Sequence, residues 1–187
     1  MRRFIWLLLL LMLIACAVSP TDEQENNQVD NWHVFTSSTY GFTLEYPANW
    51  QAQEHLNGFK GERAVIATVI PPTPFTAAIT IERVEIENPT VEDVAGWGEE
   101  LITSRFESTA YEMYELESIE LTNGESALTR TYLTAIDKPF SSRYTEIYIA
   151  REHDGLMIQM GTVEGKYDSV KAVFEHLIES FTLIGSD

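Results

Sequence analysis

Residues 40–50 read Tyr40-Gly41-Phe42-Thr43-Leu44-Glu45-Tyr46-Pro47-Ala48-Asn49-Trp50, and their pattern decides the fold. Phe42 to Tyr46 alternates apolar with polar, the period of a strand with one buried face. Pro47 has no N–H to offer a ladder and stops that strand. Tyr40-Gly41-Phe42 turns the chain into what is expected to be the first strand of the domain. Trp50 is expected to anchor the turn that follows, burying on the order of 200 Å² against a sheet. These residues shape the fold and carry no chemistry.

Outward from this stretch, strand signals dominate. Arg63 to Ile70 is a β-branched run closed by Pro71-Pro72. Between Ala77 and Ile86 the apolar positions change parity, which predicts a bulge near Glu82-Arg83. Tyr111–Thr122 and Glu125–Ile136 flank Asn123-Gly124, a two-residue hairpin signal. Tyr144–Glu152 and Leu156–Val163 flank Asp154-Gly155, a second one. Gly58-Phe59-Lys60-Gly61 reads as a further hairpin loop. Two stretches break the rule of period two. Thr90 with Asp93 three residues on forms a helix start, and Val91, Val94, Ala95, Leu101, Ile102 and Phe106 follow at helical spacing. Gly98 lies on that stripe, where it lets a helix approach a sheet closely. The second helix spans about 167–181, with Tyr167, Val170, Phe174, Leu177, Ile178 and Phe181 on one face.

Tyr40-Gly41-Phe42, a short strand, then Tyr46-Pro47 and Trp50 resemble the opening of a PsbP-like domain. The order of elements agrees, down to a last helix closed by Ser180-Phe181, and the resemblance covers about residues 36–184. It implies an α+β fold, an antiparallel sheet flanked by helices in an α/β/α sandwich. It further implies an extracytoplasmic location and a role as an extrinsic subunit or binding module; separately, no acid–base pair can be placed on the chain, so an enzyme is not expected. No basic photosystem-docking segment, such as the family's photosynthetic members carry, is matched here.

The N-terminus speaks to location. Arg2 and Arg3 precede the apolar run Phe4–Ile14, too short for a spanning helix of ~20 residues. Leu13-Ile14-Ala15-Cys16 then resembles the lipobox of a bacterial lipoprotein, which implies that Cys16 is lipidated and becomes the first residue of the mature chain. Two or three acyl chains, at roughly 0.8 kcal/mol per buried CH₂, hold a protein to a membrane far better than one. Residues 17–31 are polar and acidic, a tether reaching on the order of 20 Å. The expected organisation is a signal peptide over 1–15, a lipidated cysteine and tether over 16–31, and one PsbP-like globular domain over 32–187. The expected location is extracytoplasmic, on the outer face of the plasma membrane or the periplasmic side of a membrane in a two-membrane host.

The 187-residue chain has a formal charge of −17; loss of residues 1–15 removes two arginines and no acid, giving −19. Such a body is repelled by phosphate backbones, so nucleic acid is excluded as a partner, and a basic or mixed-charge protein surface is favoured. Cys16 is the only cysteine, so no disulfide or cysteine-bound metal is expected. His33, His55, His153 and His176 show no ligand spacing, His176 lies off the apolar stripe of its helix, and no nucleophile elbow or phosphate-binding glycine loop occurs. Thirteen carboxylates lie from Glu82 to Glu125 against Arg83 and Arg105, and are expected to form solvated surface without a Ca²⁺ site. Periodicity does not assign Trp32, Trp97, Tyr114 and Tyr148 together to a core, which leaves them as candidate partner anchors; for Trp97 the edge of a helix–sheet interface is favoured. The functional expectation is a membrane-anchored, non-catalytic binding or assembly module without cofactor or metal, carrying a protein partner. A hydrolase, or a sensor of cations or small ligands, is the alternative.

Overall fold

The computed structural model describes residues 31–54, 64–72, 77–106, 110–135 and 141–184. The leader, the lipobox, nearly all of the tether and the Gly58–Gly61 loop lie outside them. In chain order come β1 (Trp32–Ser37), β2 (Phe42–Pro47), β3 (Gln51–Glu54), β4 (Ala64–Ile70) and β5 (Ala77–Val84). Then follow α1 (Val91–Phe106), β6 (Tyr111–Met113), β7 (Glu117–Glu120), β8 (Ser126–Thr134), β9 (Ser142–Ala150), β10 (Gly155–Val163), α2 (Tyr167–Ser180) and β11 (Thr182–Leu183). Among the described residues, eight strands form one sheet in the order β3-β4-β5-β10-β9-β8-β6, with β7 pairing farther along β8. A smaller sheet runs β1-β2-β11. Every pairing is antiparallel. The fold class read from the sequence is the one observed.

Both faces of the large sheet are covered. Ile79, Ile81, Ile147, Ile149 and Ile158 pack with Phe174, Leu177 and Phe181, under α2 and the small sheet. On the opposite face Val84, Tyr148 and Met157 meet Val94, Ala95 and Leu101 of α1. Enclosing each such aliphatic side chain contributes about 1.5–3 kcal/mol.

The Tyr40–Trp50 stretch folds as its residues dictate. Gly41 has φ +68°, a conformation that favours glycine, and an added Cβ would lie 2.8 Å from the Ile184 carbonyl oxygen. Phe42 is fully buried and stacks on Phe181 with ring centroids 5.6 Å apart. Pro47 is buried, and its carbonyl accepts the Trp50 N–H at 2.8 Å to close a turn. Tyr40, Tyr46 and Trp50 pack half-buried against the core. Trp50 is therefore a lesser anchor than the expected one. Trp50→Ala should lower stability in urea unfolding by about 2 kcal/mol, below the ~3–5 kcal/mol for emptying an enclosed aromatic site. A loss near zero would show that its contact with the core contributes nothing.

Four expectations are corrected. The strand after Tyr40-Gly41 is the second one, because Trp32–Ser37 already pairs with it residue for residue. The bulge lies across from Glu82, in β4 between Val65 and Ala67, while β5 runs in unbroken register along β10. The parity change in β5 arises because the strand is buried on both faces: Ile79 and Ile81 face α2, Glu82 and Val84 face α1. The first hairpin has a three-residue loop over 122–124, closed by Leu121 N–H to the Glu125 carbonyl at 2.8 Å, with Gly124 at φ +83°. Its first arm is broken at 114–116, which splits it into β6 and β7. The second hairpin turns at Glu152-His153, between Arg151 N–H and the Asp154 carbonyl at 2.8 Å. Gly155 lies within β10 instead, where a Cβ would sit 2.5 Å from Val94 Cγ2.

α1 starts as read. The Thr90 N–H donates to Asp93 Oδ2 at 2.8 Å, and the Asp93 N–H returns a bond to Thr90 Oγ1 at 3.2 Å. The bond from the Thr90 backbone holds the Asp93 carboxyl below its usual range.

Candidate functional site

Two polar assemblies stand out. The first is enclosed. β9 places Tyr144, Glu146 and Tyr148 on the α1 face by strict alternation, and Glu146 is fully buried. Its Oε1 accepts the Tyr132 hydroxyl at 3.0 Å and Gln159 Nε2 at 2.6 Å, and its Oε2 accepts the Tyr148 hydroxyl at 2.6 Å. Burial pushes the Glu146 carboxyl above its ordinary range; the three donated bonds and Arg105 oppose that rise. Burial and the neighbouring Glu146 also push both tyrosine hydroxyls up, so they stay protonated donors. Tyr132 and Tyr144 stack at 5.0 Å, flanked by Phe106. Beside them Glu82 is buried with its Oε1 3.4 Å from Arg105, and its Oε2 has no hydrogen-bond partner. Arg130, also buried, reaches Glu99 at 2.9 Å. Glu82 thus departs from the solvated surface expected for the acidic middle segment. Glu112, Glu115, Glu117 and Glu120 do lie exposed as expected.

The second assembly is an open groove of about 760 Å³ between the small sheet and one end of the large one. Ser38 to Gly41, Leu183 and Ile184 line one side, and Arg83, Pro89, Glu125 and the 150–154 turn line the other. Asp154 is central. Its Oδ1 accepts Arg151 Nε at 2.5 Å, and its Oδ2 lies 2.8 Å from Arg83 Nε. The Arg83 N–H does not point along that line, so charge holds the pair while the buried Nε–H stays without an acceptor. Arg151 further donates to the Tyr40 carbonyl, tying the hairpin tip to the Tyr-Gly-Phe turn.

The structure scatters the other candidates. Tyr148 is a core residue, not a surface anchor. Trp97 packs at the edge of the α1 interface, as favoured. Tyr114 is 45% exposed. His176 is not free surface: it stacks on Trp32 at 3.7 Å, and its Nε2 lies 2.7 Å from Glu45 Oε2. His153 is solvated at the turn. Among the described residues no three His, Asp or Glu side chains converge as a metal site. No described helix is long and apolar enough to cross a membrane. The buried Glu146 and the groove were both missed in the sequence. A carboxylate flanked at i−2 and i+2 by tyrosines on one strand face was the available signal for the first; the groove had none.

The likenesses found are to solved structures. Cyanobacterial PsbP (CyanoP) from Synechocystis aligns over 81% of this chain and 92% of its own, with a TM-score of 0.62 and 14% identity. The fold is PsbP-like. The Ran-binding protein Mog1p of Saccharomyces cerevisiae shares this architecture over 82% of the chain and 96% of its own, at TM-score 0.56 and 10% identity. LpqN, involved in cell envelope biogenesis of Mycobacterium tuberculosis, aligns over 83% and 91%, at TM-score 0.50 and 11% identity. No protein-family model and no curated protein matches the sequence. At these identities the PsbP-like likeness concerns the fold, and function must be argued from this chain's own residues.

Proposed function

We propose that this protein is a non-catalytic binding or assembly module held by a lipid on Cys16 at the extracytoplasmic side of a membrane, where it engages a protein partner. The observation that carries the reading is the PsbP-like fold behind Leu13-Ile14-Ala15-Cys16, a fold also used by a Ran-binding protein and by an envelope-biogenesis protein. Anchor and tether confine the domain near the membrane, which raises the effective concentration of a membrane-borne partner. The acidic surface then selects a basic or mixed-charge face on that partner.

Cys16→Ser tests the anchor. No other cysteine can take the lipid. The variant should stay unprocessed or leave the membrane on fractionation, and gentle solubilisation of native membranes should bring down a protein partner with the unaltered chain alone. Unchanged retention in high salt, with the signal still removed at the same bond, would overturn the anchor. A clean monomer from those membranes would count against the partner.

A further inference from the structure

We propose that two copies of this chain associate through the outer edge of β1, pairing strand to strand and antiparallel across a twofold axis at Val34. The pairing goes beyond the partner reading, and only its membrane step rests on the lipid anchor. β1 ends the small sheet, with β2 on one side and no strand on the other among the described residues. Pro47 has no N–H, so Trp32 opposite it does not form a doubly bonded pair; the Asn31 carbonyl accepts the Ala48 N–H at 3.0 Å instead. Bonded pairs alternate along an antiparallel ladder. His33, Phe35 and Ser37 therefore bond to β2, while Trp32, Val34 and Thr36 direct their N–H and C=O groups outward. Among the described residues no other strand at a sheet end exceeds four residues. Exposed edges are ordinarily blunted by lysine, proline, a bulge or shortness. Trp32–Ser37 runs six residues in unbroken register with none of these. Its first residue is fixed by the stack on His176, and Val34 at its middle is 65% exposed.

Charge and the path of the chain select a second copy as the occupant. In a chain of 29 acids and net charge −17, β1 carries no carboxylate. Glu45, across from Val34 in β2, is engaged by His176 at 2.7 Å. Pairing about Val34 sets it on the second copy's Val34, Trp32 on Thr36 and His33 on Phe35, with no carboxylate facing another. All the outward groups of Trp32, Val34 and Thr36 find partners in that register. Residues 17–31 lead straight into β1, so two copies anchored in one membrane present this edge at the same height. The two Trp32 residues then stand about 14 Å apart, within reach of two tethers of roughly 20 Å. The strand contact alone covers less than the ~1,200 Å² of a stable interface, so it depends on confinement at the membrane.

The test places the full lipidated chain in phosphatidylcholine vesicles at rising surface density, read by hydrogen exchange and disulfide trapping. The Val34 and Thr36 N–H groups should gain protection with density, while those of His33 and Phe35 stay protected throughout. Val34→Cys should form at least about tenfold more disulfide dimer than Tyr114→Cys, because bonded opposite residues have Cα atoms about 5.5 Å apart. Copies of like charge repel, so the trapped fraction should rise with salt, whereas capture of a basic partner falls. Val34→Lys sets two ammonium groups face to face, and Val34→Pro removes only an outward N–H. Each should abolish the density-dependent protection of Thr36 with the melting temperature held, and Val34→Thr should keep it. Protection independent of density would assign the edge to the chain's own residues 17–30 and overturn the inference. A Val34→Cys adduct of any mass but the doubled one from native membranes, or equal trapping of Val34→Cys and Tyr114→Cys, would also overturn it. Loss of the chain from the vesicles would overturn the anchor instead; excess trapping of Val34→Cys in solution at rising concentration then supports the pairing, and equal trapping overturns it.

Discussion

Replacing Glu146 with leucine is expected to destabilise the domain by about 4 kcal/mol, although it exchanges a buried charge for a hydrocarbon. Two effects compete. Leucine removes the desolvation that pushes the Glu146 carboxyl up. It also strands the Tyr132 and Tyr148 hydroxyls, bonded to Glu146 at 3.0 and 2.6 Å, while Gln159 Nε2 keeps the Tyr132 oxygen at 3.0 Å as an acceptor. An enclosed donor without an acceptor costs roughly 1–3 kcal/mol, so the two hydroxyls together outweigh the relief of one charge. Urea unfolding measures the loss, and a change under about 1 kcal/mol would mean the donors find other acceptors. Glu146→Gln separates the charge from the bonds. A carboxyl whose folded pKa is raised binds a proton that the unfolded chain releases. Its contribution is then fully present below the ordinary value of 4.5 and declines as pH rises through the folded value. Wild-type stability should therefore fall from acid towards neutral pH relative to the glutamine variant. A constant difference across that range would show that Glu146 does not titrate there.

Gly98→Val should cost about 3 kcal/mol, while Gly96→Ala, two residues away on the same helix, should gain up to about 1 kcal/mol. A Cβ on Gly98 would lie 2.4 Å from Tyr148 Cε1 and 2.9 Å from its hydroxyl, whereas one on Gly96 meets nothing within 4 Å. Tyr148 cannot yield cheaply, being fully enclosed and bonded to Glu146 at 2.6 Å. The helical gain from losing a glycine is thus overtaken by overpacking and by strain on that bond. Thermal melts of both variants supply the comparison. Equal stability of the two would mean that α1 lifts from the sheet without penalty.

Gly98 was legible before the structure because a glycine on an apolar helical stripe has few other uses. The capping pair Thr90 and Asp93 was legible for the same local reason. The hairpins were read at their correct places but with turns displaced by a residue or two. Loop length depends on how the arms register, and that is decided along whole strands. β1, β3 and β11 escaped notice because Trp32–Ser37, Gln51–Glu54 and Thr182–Leu183 lie at edges, where alternation is weak and the pairing partner supplies the order.

By itself the sequence determined what neighbours in the chain can determine: an antiparallel α+β fold, two amphipathic helices, a turn at Tyr40-Gly41-Phe42, and an acidic body behind a lipobox-like leader. Tertiary structure decided which face each strand residue meets. With a helix on both sides of the large sheet, alternation no longer separates core from solvent, so Glu82, Glu146 and Tyr148 could be placed only by the elements packed over them. It alone also made the groove, because Tyr40, Arg83, Arg151, Asp154 and Ile184 come from segments far apart in the chain. Their charges acquire meaning only when one aspartate is set between two arginines.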